Sequence, residues 1–301
     1  MMPVCPKCSS GADDVDSGFV SATLPYHSNW PHLENQLRGQ RLVWVRFVSC
    51  GSFGEVHELR EQAEGMHYAW KRVDTVGADS LLRKRASTFK LDNEITILEQ
   101  LTHPNIVKLF RSWVSDVDIS LLFEMCTEDL FHKLQRDGPM CRTIGCVHMT
   151  ELLQALTYLH NQQVAHRDVK LENILVIVSH LKPDVLKLSD FGLARMCSRV
   201  AGCETLVGSK DYVAPEVREQ TTYGYACDVW SLGVVAYAML TALSPYGDDA
   251  DVRARLLGRI EPDARVTSGG KLPPVVFIQS CMTAAPEHRK DPSALAEWLW
   301  D

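Results

Sequence analysis

Three short polar stretches carry the residue types that can do chemistry. His166-Arg167-Asp168-Val169-Lys170-Leu171-Glu172-Asn173 runs straight into the apolar Ile174-Leu175-Val176-Ile177-Val178, which puts a charged loop at the mouth of a buried strand. Asp190-Phe191-Gly192 repeats that layout after Leu186-Lys187-Leu188. Together Asp168, Asn173 and Asp190 offer a base and hard oxygen ligands, as a magnesium–phosphate site requires. The third stretch, Ser49-Cys50-Gly51-Ser52-Phe53-Gly54-Glu55-Val56, sets glycines between strand-like runs, where a backbone without Cβ can approach a phosphate. A dinucleotide-binding loop opens a helix, whereas this one opens a hairpin, so that reading fails on context.

Two further charges stand where charge is costly. Lys71 ends Tyr68-Ala69-Trp70-Lys71, a strand otherwise apolar at Tyr68 and Trp70. Glu94 lies between Leu91 and Leu98, on or beside the apolar face of a helix. An inward carboxylate needs a cation, and Lys71 on a neighbouring strand is the natural partner.

The elements that must position these groups follow from periodicity. Strands are expected over Arg41–Val48, Glu55–Gln62, Met66–Val73, Ile106–Val114 and Ile119–Met125, with a turn at Ala63-Glu64-Gly65 and a helix over Ser87–Leu101. After Glu128 the pattern is mainly helical: Gly145–His160, Cys227–Leu243, Asp249–Arg259, Pro274–Ala284 and Pro292–Trp300, interrupted by strands at Asn173–Val178 and Asp184–Leu188. The fold class is therefore α+β, a small β-rich lobe followed by a larger α-helical lobe. Residues 1–40, rich in Ser, Asp, Pro and Gly, read as a poorly ordered extension.

The 301 residues are 46% hydrophobic and 23% charged, which excludes a disordered or low-complexity chain. A net charge of −7 argues against broad nucleic-acid binding. The longest apolar run, Leu232–Leu243, is too short to cross a bilayer, so no membrane span is expected. Ten scattered cysteines without a secretory leader read as reduced thiols of a cytoplasmic or nuclear protein. Cys5 and Cys8 have metal-like spacing, and His27 and His32 are the nearest further ligands for zinc.

On these motifs, in this order, the sequence resembles the eukaryotic-type protein kinases from about Arg41 to the C-terminus. The resemblance implies a bilobal kinase domain over 41–301, with an N-lobe of about 41–126 and a C-lobe of about 127–301. It implies ATP and Mg2+ as cofactors and proteins as substrates. Nucleotide-contacting positions would be Val48, Ser49, Gly51, Ser52, Gly54, Val56, Ala69, Lys71, Phe123, Glu124, Cys126 and Asp129. Glu94 would pair with Lys71, Asp168 would be the catalytic base, Lys170 would neutralise the γ-phosphate, and Asn173 and Asp190 would hold magnesium.

The resemblance also bears on class and control. Lys170, and Gly208-Ser209 ahead of Tyr212, are marks of serine/threonine kinases. Ala214-Pro215-Glu216 closes the activation segment, and Arg289 matches the arginine that pairs with Glu216. Thr205 aligns with the activating phosphosite, Arg167 and Arg195 with the cations that gather around it, and an upstream kinase would supply the phosphate; Ser198 is a second candidate. Ser49 replaces the usual first glycine, the feature that keeps a pseudokinase scaffold or allosteric nucleotide-binding module as the alternative.

Overall fold

The computed structural model describes residues 42–51, 54–74, 91–115, 118–179, 183–242 and 273–296. The chain divides into two units, one of Met1–Thr88 with Leu109–Met125, the other of Phe89–Lys108 with Cys126–Asp301. The extension 1–40, with Cys5, Cys8, His27 and His32, and the expected helix Asp249–Arg259 lie outside the described residues, as does Ser52.

The described residues of the first unit form one antiparallel sheet. Strands β1 (Leu42–Gly51), β2 (Gly54–Glu61), β3 (His67–Asp74), β4 (Leu109–Val114) and β5 (Asp118–Glu124) stand in the order β1-β2-β3-β5-β4. Alternation separates its two faces. On one face Leu59, Trp70 and Leu122 form a buried cluster, with Leu42, Trp44, Tyr68 and Trp113 packed against it. Opposite residues of an antiparallel pair share a face, so the pairs Ser49↔Val56, Val56↔Lys71, Lys71↔Leu121 and Ala69↔Phe123 line up the other one.

The second unit begins with a helix, α1 (91–98), whose buried Leu91, Ile97 and Leu98 face its core. The expected extension of this helix to Leu101 ends instead in a tightened turn, Gln100 N bonding Ile97 O and Leu101 N bonding Leu98 O. The strand expected from Ile106 starts only at Leu109. Residues 105–107 instead pair with Leu188: Leu188 N donates to Asn105 O, and Val107 N to Leu188 O. That pairing ties 105–107 to the second unit.

The remaining elements of the second unit are β6 (Glu128–Asp129), α2 (Leu130–Asp137), α3 (Arg142–Asn161), β7 (Val164–Ala165), β8 (Ile174–Ile177), β9 (Val185–Leu188), β10 (Arg195–Met196), α4 (Pro215–Arg218), α5 (Ala226–Thr241), α6 (Pro273–Cys281) and α7 (Pro292–Ala296). The strands form a β6-β8-β9 sheet and a β10-β7 pair. Helix α5 is buried along most of its length, Asp228 and Ser231 included, which marks a helix enclosed by its neighbours. Gly233 lets α6 come close, since a Cβ there would lie 2.7 Å from Cys281 Cβ. Sequence periodicity missed α2 because it is short and buries only Leu130 and Leu134. Its ends were nonetheless signalled, by Asp129 as N-cap and by Gly138 at φ 78°. Among the described residues no helix is long and apolar enough to cross a membrane.

Candidate functional site

In the first unit, the strand register gathers the residues expected to meet a nucleotide. Ser49, Val56, Ala69, Lys71 and Phe123 share one sheet face, while Val48 falls at a register shift between Phe47 and Ser49. The glycine stretch is a hairpin, with Gly51 paired to Gly54. Gly54 is required there: its φ is 145°, and a Cβ would meet Arg72 O at 2.1 Å. Glu124, the last residue of β5, pairs with Tyr68, and Cys126, half-buried, follows in the second unit.

In the second unit, the 166–173 loop is held by hydrogen bonds from several directions. Asp228, near the start of α5 and 1% exposed, accepts from His166 N at 2.9 Å and from Arg167 N at 2.8 Å, and lies 3.0 Å from His160 Nε2. Burial alone would raise its pKa. The hydrogen bond and charge of His160, with His166 and the Arg167 N–H, bring it below the ordinary carboxylate value. His166 bridges the two polar stretches. Its Nε2 donates to Ser189 O at 2.9 Å, its Nδ1 accepts from Asp168 N at 3.3 Å, and its ring meets buried Phe191 edge-on.

Asp168 is the focus of this network. Oδ1 accepts from Ser209 N at 3.0 Å and Ser209 Oγ at 2.9 Å. Oδ2 accepts from Asn173 Nδ2 at 2.9 Å and pairs with Lys170 Nζ at 2.9 Å. Lys170 also donates to Ser209 Oγ at 2.8 Å. Burial pushes the Asp168 pKa up, but Lys170, Ser209 and His166 outweigh it, so the carboxyl titrates below its ordinary value. The result is a fixed, ionised carboxylate with an ammonium beside it. Such a group can orient a hydroxyl and accept its proton as negative charge gathers nearby.

Asn173 and Asp190 are brought together through Ser189, whose N and Oγ both bond Asn173 O, at 2.8 and 2.9 Å. Asn173 spends its amide N–H groups on Asp168, leaving its side-chain carbonyl as an acceptor. Asp190 sits in the left-handed region, φ 62°, and one of its oxygens accepts from Gly192 N at 3.4 Å. One carboxylate and one amide oxygen suit Mg2+, which is usually shared between a few protein oxygens and substrate phosphates. Among the described residues there is no cluster of three or more His, Cys, Asp or Glu able to cage a metal. Asp129 caps α2: one of its oxygens accepts from His132 N at 2.9 Å and the other lies 2.7 Å from His132 Nδ1.

Arg167 connects this loop to Thr205. It holds φ 67°, donates from Nε to Leu193 O at 2.7 Å, and reaches Thr205 Oγ1 at 3.1 Å and Tyr223 OH at 3.2 Å. Tyr223 OH in turn donates to Thr205 O at 2.6 Å. Arg195 is exposed on β10, close enough for its charge to act on Cys203. Gly208 permits the crossing, since a Cβ there would meet Arg167 O at 2.7 Å. Glu216 and Arg289 form the expected pair, bonded twice at 2.7 and 2.8 Å in a fully buried setting. Asn93 of α1 donates to Ala194 O at 2.7 Å, beside Asp190-Phe191-Gly192, and Glu94 next to it is 3% exposed. Lys71 belongs to the first unit and Glu94 to the second.

Sequence reasoning treated Ser209 only as a class marker and placed Asp228 only within the expected helix Cys227–Leu243; it missed Tyr223 altogether. Nothing local signals a tyrosine whose partner is a backbone carbonyl eighteen residues upstream.

Residues 45–299 match the protein kinase domain model. The chain is 34% identical over 226 residues to the meiosis-specific serine/threonine-protein kinase mek1 of Schizosaccharomyces pombe, covering 70% of this chain and 49% of that protein. It is 36% identical over 242 residues to the serine/threonine-protein kinase DCLK3 of Mus musculus, covering 80% of this chain and 28% of that one. A calcium/calmodulin-dependent protein kinase type 1 of Macrobrachium nipponense is 38% identical over 181 residues, covering 58% of this chain and 51% of the other. The chain thus spans about half or less of the length of these relatives. With the motifs, the bilobal order of elements and the Asp168 network in agreement, it belongs to the eukaryotic-type serine/threonine protein kinase family.

Proposed function

We propose that this chain transfers the γ-phosphate of ATP, with Mg2+, to serine or threonine hydroxyls of protein substrates. The observation that carries the reading is the Asp168 carboxylate fixed between Ser209, Asn173 and Lys170. ATP supplies the reactive phosphoryl group and Mg2+ the charge that offsets its oxygens. Asp168 holds the acceptor hydroxyl and takes its proton, and Lys170 offsets negative charge beside it. Asn173 and Asp190 hold the metal. Lys71 binds phosphate oxygens. The sheet face of Ser49, Val56, Ala69 and Phe123, the glycines 51 and 54, Ser52, and positions Val48, Glu124, Cys126 and Asp129 cover the nucleotide. Residence in the cytosol or nucleus belongs to the same proposal, resting on the scattered cysteines.

The test is phosphate transfer from labelled ATP to serine, threonine and tyrosine peptide libraries, with Mg2+ or with a chelator. Expected is Mg2+-dependent labelling of serine and threonine, reduced about 100-fold or more by Asp168→Asn or Lys71→Met. Nucleotide binding without transfer in the wild type would replace this reading with the pseudokinase one, for which Ser49 is the argument.

Thr205 is the proposed control point, with Arg167 and Arg195 as its cations. A phosphate on Thr205 Oγ1 would meet Arg167 where a hydroxyl now does, adding a charge-assisted bond that steadies the Asp168 loop. Treatment with an activating kinase should raise transfer on the order of tenfold in the wild type and leave Thr205→Ala unchanged. Equal activation of both proteins removes Thr205 from this role.

A further inference from the structure

Two cysteines of the segment that carries Thr205 are folded onto each other. Between them the chain reverses in a tight turn: Ser198 N and Oγ both donate to Ala201 O at 2.9 Å, and Ala201 N donates back to Ser198 Oγ at 3.2 Å. The return leg passes so near that a Cβ on Gly202 would lie 2.8 Å from Cys197 Cβ. Each end has its own anchor. Cys197 N donates to Gln163 O at 2.8 Å, while Cys203 and Tyr223 exchange two backbone hydrogen bonds at 2.9 Å. Cys197 is 8% exposed and Cys203 0%, and both carry free thiols.

We propose that Cys197 and Cys203 are a reversible oxidation site, which hydrogen peroxide converts into a disulfide within the segment bearing Thr205. The site stands apart from the phosphotransfer reading, because nothing in it depends on Asp168. Cys203 is the attacking sulfur. The Cys197 thiol beside it lowers its pKa against the opposing effect of burial, and the charges of Arg167 and Arg195 lower it further. Of the two sulfurs, Cys203 is therefore the readier to form a thiolate. The nearby Cys203 and burial push Cys197 up, so that thiol keeps its proton.

The chemistry balances with peroxide as the only oxidant. The Cys203 thiolate attacks one peroxide oxygen, the O–O bond breaks, and the departing hydroxide takes a proton and leaves as water. The Cys203 sulfenic acid then faces Cys197, whose sulfur displaces the hydroxyl; the Cys197 proton leaves with it as a second water. Two thiols lose two electrons to peroxide, and one S–S bond forms. Burial selects a small oxidant, which reaches the pair during local opening. Cys227, 4% exposed and held up in pKa by burial, is the competing thiol.

The experiment exposes the full folded chain to dilute hydrogen peroxide at pH 7, alkylates the remaining thiols under denaturing conditions, and maps tryptic peptides. Cleavage after Arg195, Arg199 and Lys210 separates the two cysteines, so the bond appears as Met196–Arg199 linked to Val200–Lys210. Expected is this linked species, about 2 Da below the summed peptide masses, in at least about tenfold excess over any other pairing and separated by dithiothreitol. Cys197→Ser should abolish it and leave Cys203 as sulfenic or sulfinic acid. Wild-type mapping alone is decisive if that variant folds poorly. Linkage to Cys227, a sulfinic Cys203 beside an intact Cys197 thiol in the wild type, or both thiols surviving peroxide would each overturn the proposal.

Discussion

In the β1–β2 hairpin the residues from Val45 to Cys50 face solvent, and their positions are set by main-chain pairing down to Gly51 and Gly54. In the 166–173 loop the main chain has little regular pairing. It is held instead by Asp228 from below, by Ser209 and Lys170 from the side, and by His166 reaching to Ser189. Backbone pairing fixes a strand's course but leaves side chains at its surface free to choose rotamers. A buried polar network fixes side-chain atoms as well, because each unmet group costs about 1–3 kcal/mol. The loop that holds the proposed base is therefore built for fixed atoms, and the hairpin for a fixed path.

The sharpest way to break that contrast is to remove the anchor. Asp228→Asn puts an amide N–H against donors at His166 N, Arg167 N or His160 and removes a buried charge, which should cost about 3 kcal/mol in denaturant unfolding. Its pH dependence has a definite sign. The Asp228 pKa in the fold lies below its ordinary 3.8, so its contribution is complete above that value and lost as pH falls through the folded one. Facing it are His160, His166, the Arg167 N–H and the Cys227 thiol. The wild-type advantage over Asp228→Asn should stay level from pH 8 to about 5 and collapse only below the ordinary value. A loss centred near pH 6.5 would point to the histidines instead.

Smaller effects are expected in the hairpin. Gly54→Ala drives a methyl into Arg72 O at a φ that side chains rarely adopt, and should cost about 1–3 kcal/mol while raising KM for ATP. Gly65→Ala makes the matching control in the next turn. Its φ is 72°, but nothing lies within 4 Å of the added carbon, so only backbone strain of about 1 kcal/mol is expected, with KM unchanged. Equal costs at the two glycines would show that close packing of the loop onto β3 carries no weight.

Much of the fold was legible because its strands and longer helices are periodic and bounded by turn residues. The first three strands, α3 and α5 fell within a few residues of expectation, and the differences have local causes. The strand expected from Ile106 starts late because Ile106 and Val107, though apolar and extended, pair with Leu188, about eighty residues on. Helix α2 was overlooked because a short surface helix buries too few residues to leave a periodic stripe. At the site, Asp168, Lys170, Asn173 and Asp190 were visible as polar runs abutting apolar strands. Ser209 and Tyr223 were not, since each owes its role to a partner from a distant part of the chain, and the Cys197–Cys203 pair depends on the turn that folds one onto the other.

Amino-acid order by itself determined which groups are available: the ammonium, amide and carboxylates, and their place at strand ends. Those are matters of local sterics and of apolar patterning, readable within a dozen residues. Only the folded chain decided that Asp228 grips the loop, that Ser209 and Lys170 share Asp168, that Arg167 meets Thr205, and that Asp129 caps a helix. A hydrogen bond depends on distance and angle within a few tenths of an ångström, and such precision between remote segments exists only once the core has packed.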